Sequence, residues 1–171
     1  VTMTGNAQYV VPTGANPTTD PTLPSTSTNG TGQYGYLYNY CAALGGEPNT
    51  RNCAYLSYPG IANTITICPS GWRLPQHWTQ NDPDNLNNAI NGGSTSSSTG
   101  LRSTWLAQYS GNYDGGTYSY GNQGSGGSYW VDGETSGGGM TYVFTFTSGY
   151  VSTFQVTSGG NNFAAVRCLA K

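Results

Sequence analysis

The sequence predicts an α+β fold with two short helices and a β-rich second half that carries long Gly-rich loops. Three observations lead to this class. Apolar residues recur with helical spacing in Asp84–Asn91 and Gly100–Tyr109. Alternating β-branched and aromatic residues fill most of the chain after residue 128, and Gly-rich turns separate those stretches. Because helices and strands are segregated along the chain, an alternating α/β architecture is not expected.

Each helix has an apolar face and an end signal. In Asp84–Asn91 the apolar residues fall at i, i+3 and i+4, and Gly92-Gly93 ends the run. In Gly100–Tyr109 the pattern stops at Gly111. The residues on the two apolar faces are Leu86, Ala89 and Ile90 in the first helix, and Leu101, Trp105, Leu106 and Tyr109 in the second.

The strands are predicted from alternation and from the turn residues between them. Ser148-Gly149 fits a two-residue hairpin link between the two longest strands. Residues 1–32 form an N-terminal strand and a Pro/Thr/Ser-rich arm, and residues 33–171 form the main domain. Strands are expected at residues 34–40, 65–68, 128–132, 140–147, 150–157 and 163–170.

Composition and charge limit the partners. Only 7% of the residues are charged, and the five cations are scattered along the chain. Phosphate backbones are bound by clustered Lys and Arg, so nucleic acid is not an expected partner. No stretch approaches the ~20 apolar residues that a membrane-spanning helix needs, so no membrane insertion is expected in this segment.

The cysteines indicate an oxidising compartment, which places the chain outside the cell or on its surface. Cys41, Cys53, Cys68 and Cys168 have no CxxC spacing, and three pairings are possible. We favour Cys41–Cys53, which closes a short loop, with Cys68–Cys168. A loop of about 100 residues stabilises by about 4.7 kcal/mol in the chain-entropy model. Four free thiols are the alternative.

Three segments carry a family resemblance. They are GYLYNYCAA at residues 35–43, ICPSGWRLP at 67–75 and VRC at 166–168. Together they resemble the Fibrobacter succinogenes major paralogous domain over roughly residues 33–171. The resemblance implies a C-type lectin-like fold with two helices, a twisted antiparallel sheet and long loops that present ligand contacts. It also supports Cys68–Cys168, because these cysteines lie on neighbouring strands in that fold. The chain departs from the family at residues 131–134, where Val-Asp-Gly-Glu replaces the usual Ser-Ser-Thr.

A narrower resemblance concerns residues 129–155. Variable proteins of diversity-generating retroelements use the same fold and accumulate Asn, Tyr, Ser, Asp and Gly at diversified surface positions, and this segment is similar in composition. The resemblance implies a binder whose surface is diversified. An ordinary adhesin or pilus-associated domain is the alternative, because fold similarity does not fix function.

Tyrosines among Gly, Ser and Asn favour a binding surface, since Tyr offers rigid contact area and the small residues offer adaptable polar contacts. Some of these aromatic residues could belong to the core instead. Phe144 and Phe146 are expected inside, Tyr118, Tyr120 and Tyr150 outside, and Trp72, Trp105 and Trp130 in the core. The candidate ligand-binding residues are Tyr113, Tyr118, Tyr120, Val131, Asp132, Glu134, Tyr142, Phe144, Tyr150 and Phe154.

Other chemistry has weaker support. Glu47-Pro48-Asn49 matches a lectin tripeptide but lies too early in the chain, so no metal or other cofactor is expected. His77 is the lone histidine, and Asp132 and Glu134 lie two apart on one extended strand, where they would not straddle a substrate. The sequence therefore predicts a non-enzymatic, adhesin-like monomer that binds a protein or glycan on another cell or phage. A pilin-like or surface-layer subunit is the alternative.

Overall fold

A computed structural model describes residues 9–10, 37–44, 66–77, 80–114, 119–122, 124–134, 140–157 and 162–171. Predictions that involve Cys53, Tyr118, Trp78 or the Glu47-Pro48-Asn49 tripeptide lie outside these residues. The pairing Cys41–Cys53 therefore stays a prediction. The main chain of residues 9, 10, 41, 113, 119, 120, 134, 140 and 154–157 is described without their side chains.

Ten strands and three helical segments occur in the described chain. The strands are β1 (Tyr9–Val10), β2 (Leu37–Asn39), β3 (Trp72–Arg73), β4 (Asn112–Asp114), β5 (Ser119–Gly121), β6 (Gly126–Glu134), β7 (Met140–Thr147), β8 (Tyr150–Thr157), β9 (Asn162–Ala164) and β10 (Leu169–Ala170). The helices are α1 (Tyr40–Ala43), α2 (Asp82–Asn91) and α3 (Thr99–Ser103).

The strands form three antiparallel sheets. A five-stranded sheet has the order β1-β2-β9-β4-β5, a three-stranded sheet has the order β6-β7-β8, and β3 pairs with β10. Two parallel bridges, Gly111 to Gly127 and Tyr129 to Ala165, connect β6 to the five-stranded sheet. The predicted α+β class is confirmed.

The β7–β8 hairpin has the predicted bounds and the predicted two-residue link, with Thr147 paired to Tyr150. Successive side chains of a strand point to opposite faces, so this sheet has two faces. One face meets α2, α3 and the loop after α3 through Tyr129, Phe144 and Phe146. The other face meets α1 and β9 through Trp130 and Val143.

The helix-facing core is a set of contacting aromatic rings. The Tyr129 and Phe146 rings stack with centroids 5.9 Å apart, and Trp105 lies 5.3 Å from Tyr129. Gly127 makes room for Phe146, because a Cβ at this position would lie 2.6 Å from the ring atom Cζ and 2.5 Å from the Gln108 carbonyl oxygen. Phe144 and Phe146 are both buried, as predicted.

The opposite core contains Tyr40, Leu74, Trp130 and Val143. The Trp130 indole Nε1 donates to the Tyr38 carbonyl oxygen at 2.6 Å, so the buried ring has its polar group satisfied. Trp130 is buried as predicted.

Asparagine side chains join α2 to α3. Asn91 Nδ2 donates to Asn87 Oδ1 at 2.8 Å and to the Ser97 carbonyl oxygen at 2.6 Å. Its Oδ1 accepts from the Gly100 amide at 2.9 Å. A Cβ at Gly100 would lie 2.0 Å from the Ile90 carbonyl oxygen, so the two helices approach as closely as glycine allows.

Several predicted elements are shorter or different. Residues 66–68 are irregular rather than a strand, and residues 165–168 interrupt the predicted last strand between β9 and β10. Tyr40 begins α1 instead of continuing the strand, since Asn39 Oδ1 caps the helix by accepting from the Ala42 amide. The second helix ends at Ser103 rather than Tyr109, and Leu106 adopts φ of +54° beyond it.

The prediction that Trp72 is in the core is wrong. Trp72 is 47% exposed, whereas Leu74, two residues later, is buried. Trp72 pairs with Ala170 in a sheet of only two strands, and Ala170 is itself exposed. No further layer covers this position within the described chain. Trp105 is partly buried and packs against the core.

The Cys68–Cys168 disulfide is confirmed, with the two Cα atoms 5.8 Å apart. Its cysteines lie just before the paired strands β3 and β10. Nearby, Arg73 pairs with Asp82 at the start of α2 and donates to the Leu74 carbonyl oxygen at 3.1 Å. The disulfide and this ion pair tie the end of the chain, β3 and α2 together.

Candidate ligand-binding surface

One half of the face opposite the helices carries hydroxyl groups. Cross-strand pairing places Ser128, Thr145 and Ser152 in one row and Thr147 beside Tyr150 in the next. Directly opposite residues point to the same side of a sheet. We call this set, Ser128, Thr145, Thr147, Tyr150 and Ser152, the hydroxyl face.

Exposure increases along the hydroxyl face toward the β7–β8 turn. Ser128 is buried, Thr145, Thr147 and Ser152 are half-buried, and Tyr150 is 45% exposed. The turn residues Ser148 and Gly149 are exposed as well. A ligand would therefore meet Tyr150 and Thr147 first.

Hydrogen bonds hold the inner hydroxyls in place. Thr145 Oγ1 donates to the Gly127 carbonyl oxygen at 3.0 Å and lies 3.2 Å from Ser128 Oγ. Thr147 Oγ1 accepts from the Gly149 amide at 3.3 Å, which fixes the turn. The face is thus built on ordered main chain, which lowers the entropic cost of binding.

Several residues that the sequence placed on the binding surface can be compared with their observed exposure. Tyr150 is exposed, as predicted. Val131 and Tyr142 are buried, which contradicts their place on a solvent-facing surface, and Phe144 lies in the core, where it was expected. Their register explains this, because Val131 pairs with Tyr142 on the face that meets the helices. We therefore remove these three from the candidate surface.

The β4–β5 hairpin brings two other candidates together. Tyr113 and Tyr120 are register partners across the two strands, and their side chains lie outside the described part, as does Tyr118. On β8, Phe154 pairs with Val143, so the register places it in the row next to Ser152. The role of these tyrosines and of Phe154 in binding stays a prediction.

Asp132 and Glu134 do not follow the regular spacing that would put them on one face. The register shifts between Val131 and Glu134, so Asp132 lies in a bulge. Its main chain pairs with the neighbouring segment, since its amide donates to the Pro75 carbonyl oxygen at 2.7 Å and its carbonyl accepts from the His77 amide at 3.1 Å. Asp132 is half-buried, and the Glu134 side chain is not among those described.

Three residues of the hydroxyl face were not predicted from the sequence: Thr145, Thr147 and Ser152. The signal was present, because hydroxyl residues alternate with Phe146 and Val151 along β7 and β8. Alternation shows that these residues share a face, but only the pairing of three strands brings them together.

The ionisable groups near this sheet are shaped by burial. Burial lowers the pKa of His77, against the opposing effect of Asp84, and the imidazole stacks on Tyr142 with centroids 4.2 Å apart. Burial raises the pKa of Tyr129, whose hydroxyl accepts from the Gln108 amide at 2.8 Å. Both groups are therefore neutral near pH 7 and serve packing.

Within the described residues, no three His, Cys, Asp or Glu side chains come close enough together to hold a metal ion. Among the same residues, no helix has the length and apolar character needed to cross a membrane.

Comparison with known proteins finds no family model, no curated protein and no solved structure that matches this chain.

Proposed function

We propose that this chain is a secreted or surface-exposed, adhesin-like domain that binds a protein or glycan on another cell or phage. The observation that carries the proposal is the hydroxyl face, which presents the exposed Tyr150 beside Thr147 on a sheet packed on both sides. The function is binding rather than catalysis.

The chemistry of this face fits recognition. Tyr150 offers a large ring with a hydrogen-bonding tip and few rotatable bonds, and the threonine and serine hydroxyls can donate and accept. No side chain of the hydroxyl face is charged. A ligand with hydroxyl or amide groups, such as a neutral glycan or a polar protein surface, matches these groups.

The C-type lectin-like fold is part of the proposal. The CPSGWRLP and VRC segments resemble that family, and their cysteines form the Cys68–Cys168 disulfide beside the paired strands β3 and β10. A disulfide supports an extracellular location, since cytosolic thiols are kept reduced. Diversification by a retroelement would leave a reverse transcriptase gene and a near-repeat of the 3′ coding end beside this gene, which sequencing would reveal.

The binding proposal is tested with the full chain on glycan and protein arrays, followed by affinity measurements on the best ligand. Tyr150→Ala and Thr147→Ala should each weaken binding several-fold. Trp72→Ala is the matched control, because Trp72 is 47% exposed, against 45% for Tyr150, yet lies on β3. Equal losses for Trp72→Ala and Tyr150→Ala, or no ligand on either array, would contradict the proposal.

One observation favours the alternative of a self-assembling subunit. β8 is an outer strand of the β6-β7-β8 sheet, and outer strands can pair with other chains. The Val151 amide, however, already donates to the Thr95 carbonyl oxygen at 2.9 Å. We expect a monomer in sedimentation equilibrium at high concentration, whereas a concentration-dependent polymer would favour the structural subunit.

A further inference from the structure

Two arginines lie over aromatic rings at the loop after α3. The Arg102 guanidinium carbon is 4.1 Å from the Tyr109 ring centroid, and that of Arg167 is 5.1 Å from the Trp105 centroid. The two rings belong to one cluster, because Trp105 contacts Tyr129, and Phe146 contacts both Tyr129 and Tyr109. We call Arg102, Trp105, Leu106, Tyr109 and Arg167 the arginine surface.

Neither arginine of this surface is neutralised by the described part of the chain. There, Arg73 forms an ion pair with Asp82, whereas Arg102 and Arg167 have no carboxylate within ion-pair distance. Arg167 makes one long hydrogen bond, from Nη1 to the Leu106 carbonyl oxygen at 3.5 Å. In a chain with five cations and a net charge of −2, two guanidinium groups that have no ion-pair partner among the described residues lie beside one loop and make it locally positive.

The loop under these arginines is held in one conformation. The Tyr129 hydroxyl accepts from the Gln108 amide at 2.8 Å and donates to its carbonyl oxygen at 3.2 Å. The Ala107 amide donates to the Leu101 carbonyl oxygen at 3.2 Å. Because the guanidinium groups lie over rings that belong to the core cluster, their positions are restricted before a partner arrives, and the cost of ordering them is reduced.

Leu106 indicates the chemical class of the partner. Leu106 directly follows Trp105 in the chain, and its side chain is 52% exposed. Its own carbonyl oxygen accepts the hydrogen bond from Arg167. A leucine cannot satisfy the hydroxyl groups of an acidic polysaccharide, and burying them without partners is costly. It can pack against an apolar side chain of a peptide.

We propose that the arginine surface binds an acidic protein segment. Carboxylates of the segment accept hydrogen bonds from Arg102 and Arg167, and an apolar side chain of the segment packs on Leu106. Arginine favours such planar, bidentate recognition of carboxylates. The site is separate from the hydroxyl face, because Tyr129, Phe144 and Phe146 point to the opposite side of the β6-β7-β8 sheet.

The test uses the full chain and a fluorescent synthetic peptide with the repeat Glu-Leu-Glu-Gly. We expect binding that weakens with added salt, and no binding of the matching Gln-Leu-Gln-Gly peptide. Arg102→Gln and Arg167→Gln should each reduce affinity about tenfold. Lys171→Gln is the matched control, because it removes one charge from the exposed C-terminal residue.

Two further variants make the test sharper. Arg167→Lys keeps the charge and loses the planar fork, so it should also weaken binding. Leu106→Asn suits the positive φ and removes the apolar contact, so it should weaken binding of this peptide but not of one with Gly in place of Leu. The proposal is overturned if Lys171→Gln weakens binding as much as the arginine variants, if the acidic peptide does not bind, or if alginate oligomers bind more tightly.

Discussion

The two faces of the β6-β7-β8 sheet differ in how far their apolar character extends. On the face toward the helices, described residues from Gly127 to Val131 and from Tyr142 to Phe146 are buried. On the opposite face, Trp130 and Val143 are buried, whereas Thr145 and Thr147, farther along the same strand, are only half-buried.

The difference shows that coverage, and not the strand itself, decides where a surface begins. α2, α3 and the loop after α3 pack with the residues of β6 and β7 on the first face, whereas α1, Leu74 and β9 pack against the Trp130 end of the second. Farther along β7, the residues that point to this face change from Val143 to Thr145 and Thr147. The hydroxyl face therefore lies at the less covered end of a sheet that is otherwise core, and it is open to solvent mainly at Tyr150.

The largest effect should come from Phe146→Ala on the covered face. Phe146 is fully buried and contacts the rings of Tyr109, Tyr129 and Phe144. Its removal leaves a cavity that Gly127 cannot fill, and we expect the free energy of unfolding to fall by about 3–5 kcal/mol. Chemical denaturation measures this change. A loss below about 1 kcal/mol would show that this face is less tightly packed than the contacts indicate.

Phe146→Leu is the control for this prediction. It keeps most of the apolar volume, so the loss should be clearly smaller than for Phe146→Ala. Equal losses would mean that the ring geometry, rather than the buried volume, stabilises the core.

The second prediction tests the covered half of the opposite face. Val143→Thr has nearly the same shape but places a hydroxyl among Tyr40, Leu74 and Trp130. An unsatisfied buried hydroxyl costs about 1–3 kcal/mol, so unfolding should require correspondingly less denaturant. An unchanged midpoint would indicate that the new hydroxyl at position 143 finds a hydrogen-bond partner, either a water molecule or a polar group of the protein.

Much of the sheet could be predicted from the sequence because its signals are local. Alternation and the Ser148-Gly149 link were enough for the bounds of β7 and β8. The length of the predicted second helix, which is α3 in the structure, was overestimated because its apolar spacing continues to Tyr109. The hydrogen bonds between Tyr129 and Gln108 hold that part of the chain in a loop. Trp72 was misplaced for a related reason, since hydrophobicity does not show which strand lacks a covering layer.

The third prediction is the counterpart of Val143→Thr, two residues farther along β7. Thr145→Val removes hydrogen bonds to two buried partners, the Gly127 carbonyl oxygen and Ser128, but Thr145 itself is only half-buried and the change adds no polar group to the core. We expect a loss of no more than about 1 kcal/mol in the free energy of unfolding. A loss larger than that of Val143→Thr would show that the half of the face around Thr145 contributes more to stability than the half around Val143, contrary to the comparison proposed here.

The candidate surface was less predictable than the sheet. Tyr150 could be predicted because it follows a tight turn, where side chains are usually exposed. Val131 and Tyr142 were assigned to the surface because their composition resembles a binding site, but their register turns them toward the helices. Asp132 and Glu134 were expected to share a face, and the bulge between Val131 and Glu134 removes that regularity. These outcomes depend on pairing between distant strands, which single residues do not encode.

The smallest effect on stability is expected for Tyr150→Ala, and this is what makes it informative. Tyr150 is largely exposed and pairs with Thr147 at the open end of the hydroxyl face, so its removal should change the free energy of unfolding by no more than about 0.5 kcal/mol. The same variant should weaken ligand binding several-fold. Thermal unfolding and binding, measured on the same sample, separate the two effects: a surface evolved for recognition loses affinity and keeps its stability. If Tyr150→Ala instead destabilised the protein as much as Val143→Thr, the two halves of this face would not differ, and Tyr150 would be part of the fold rather than of a ligand site.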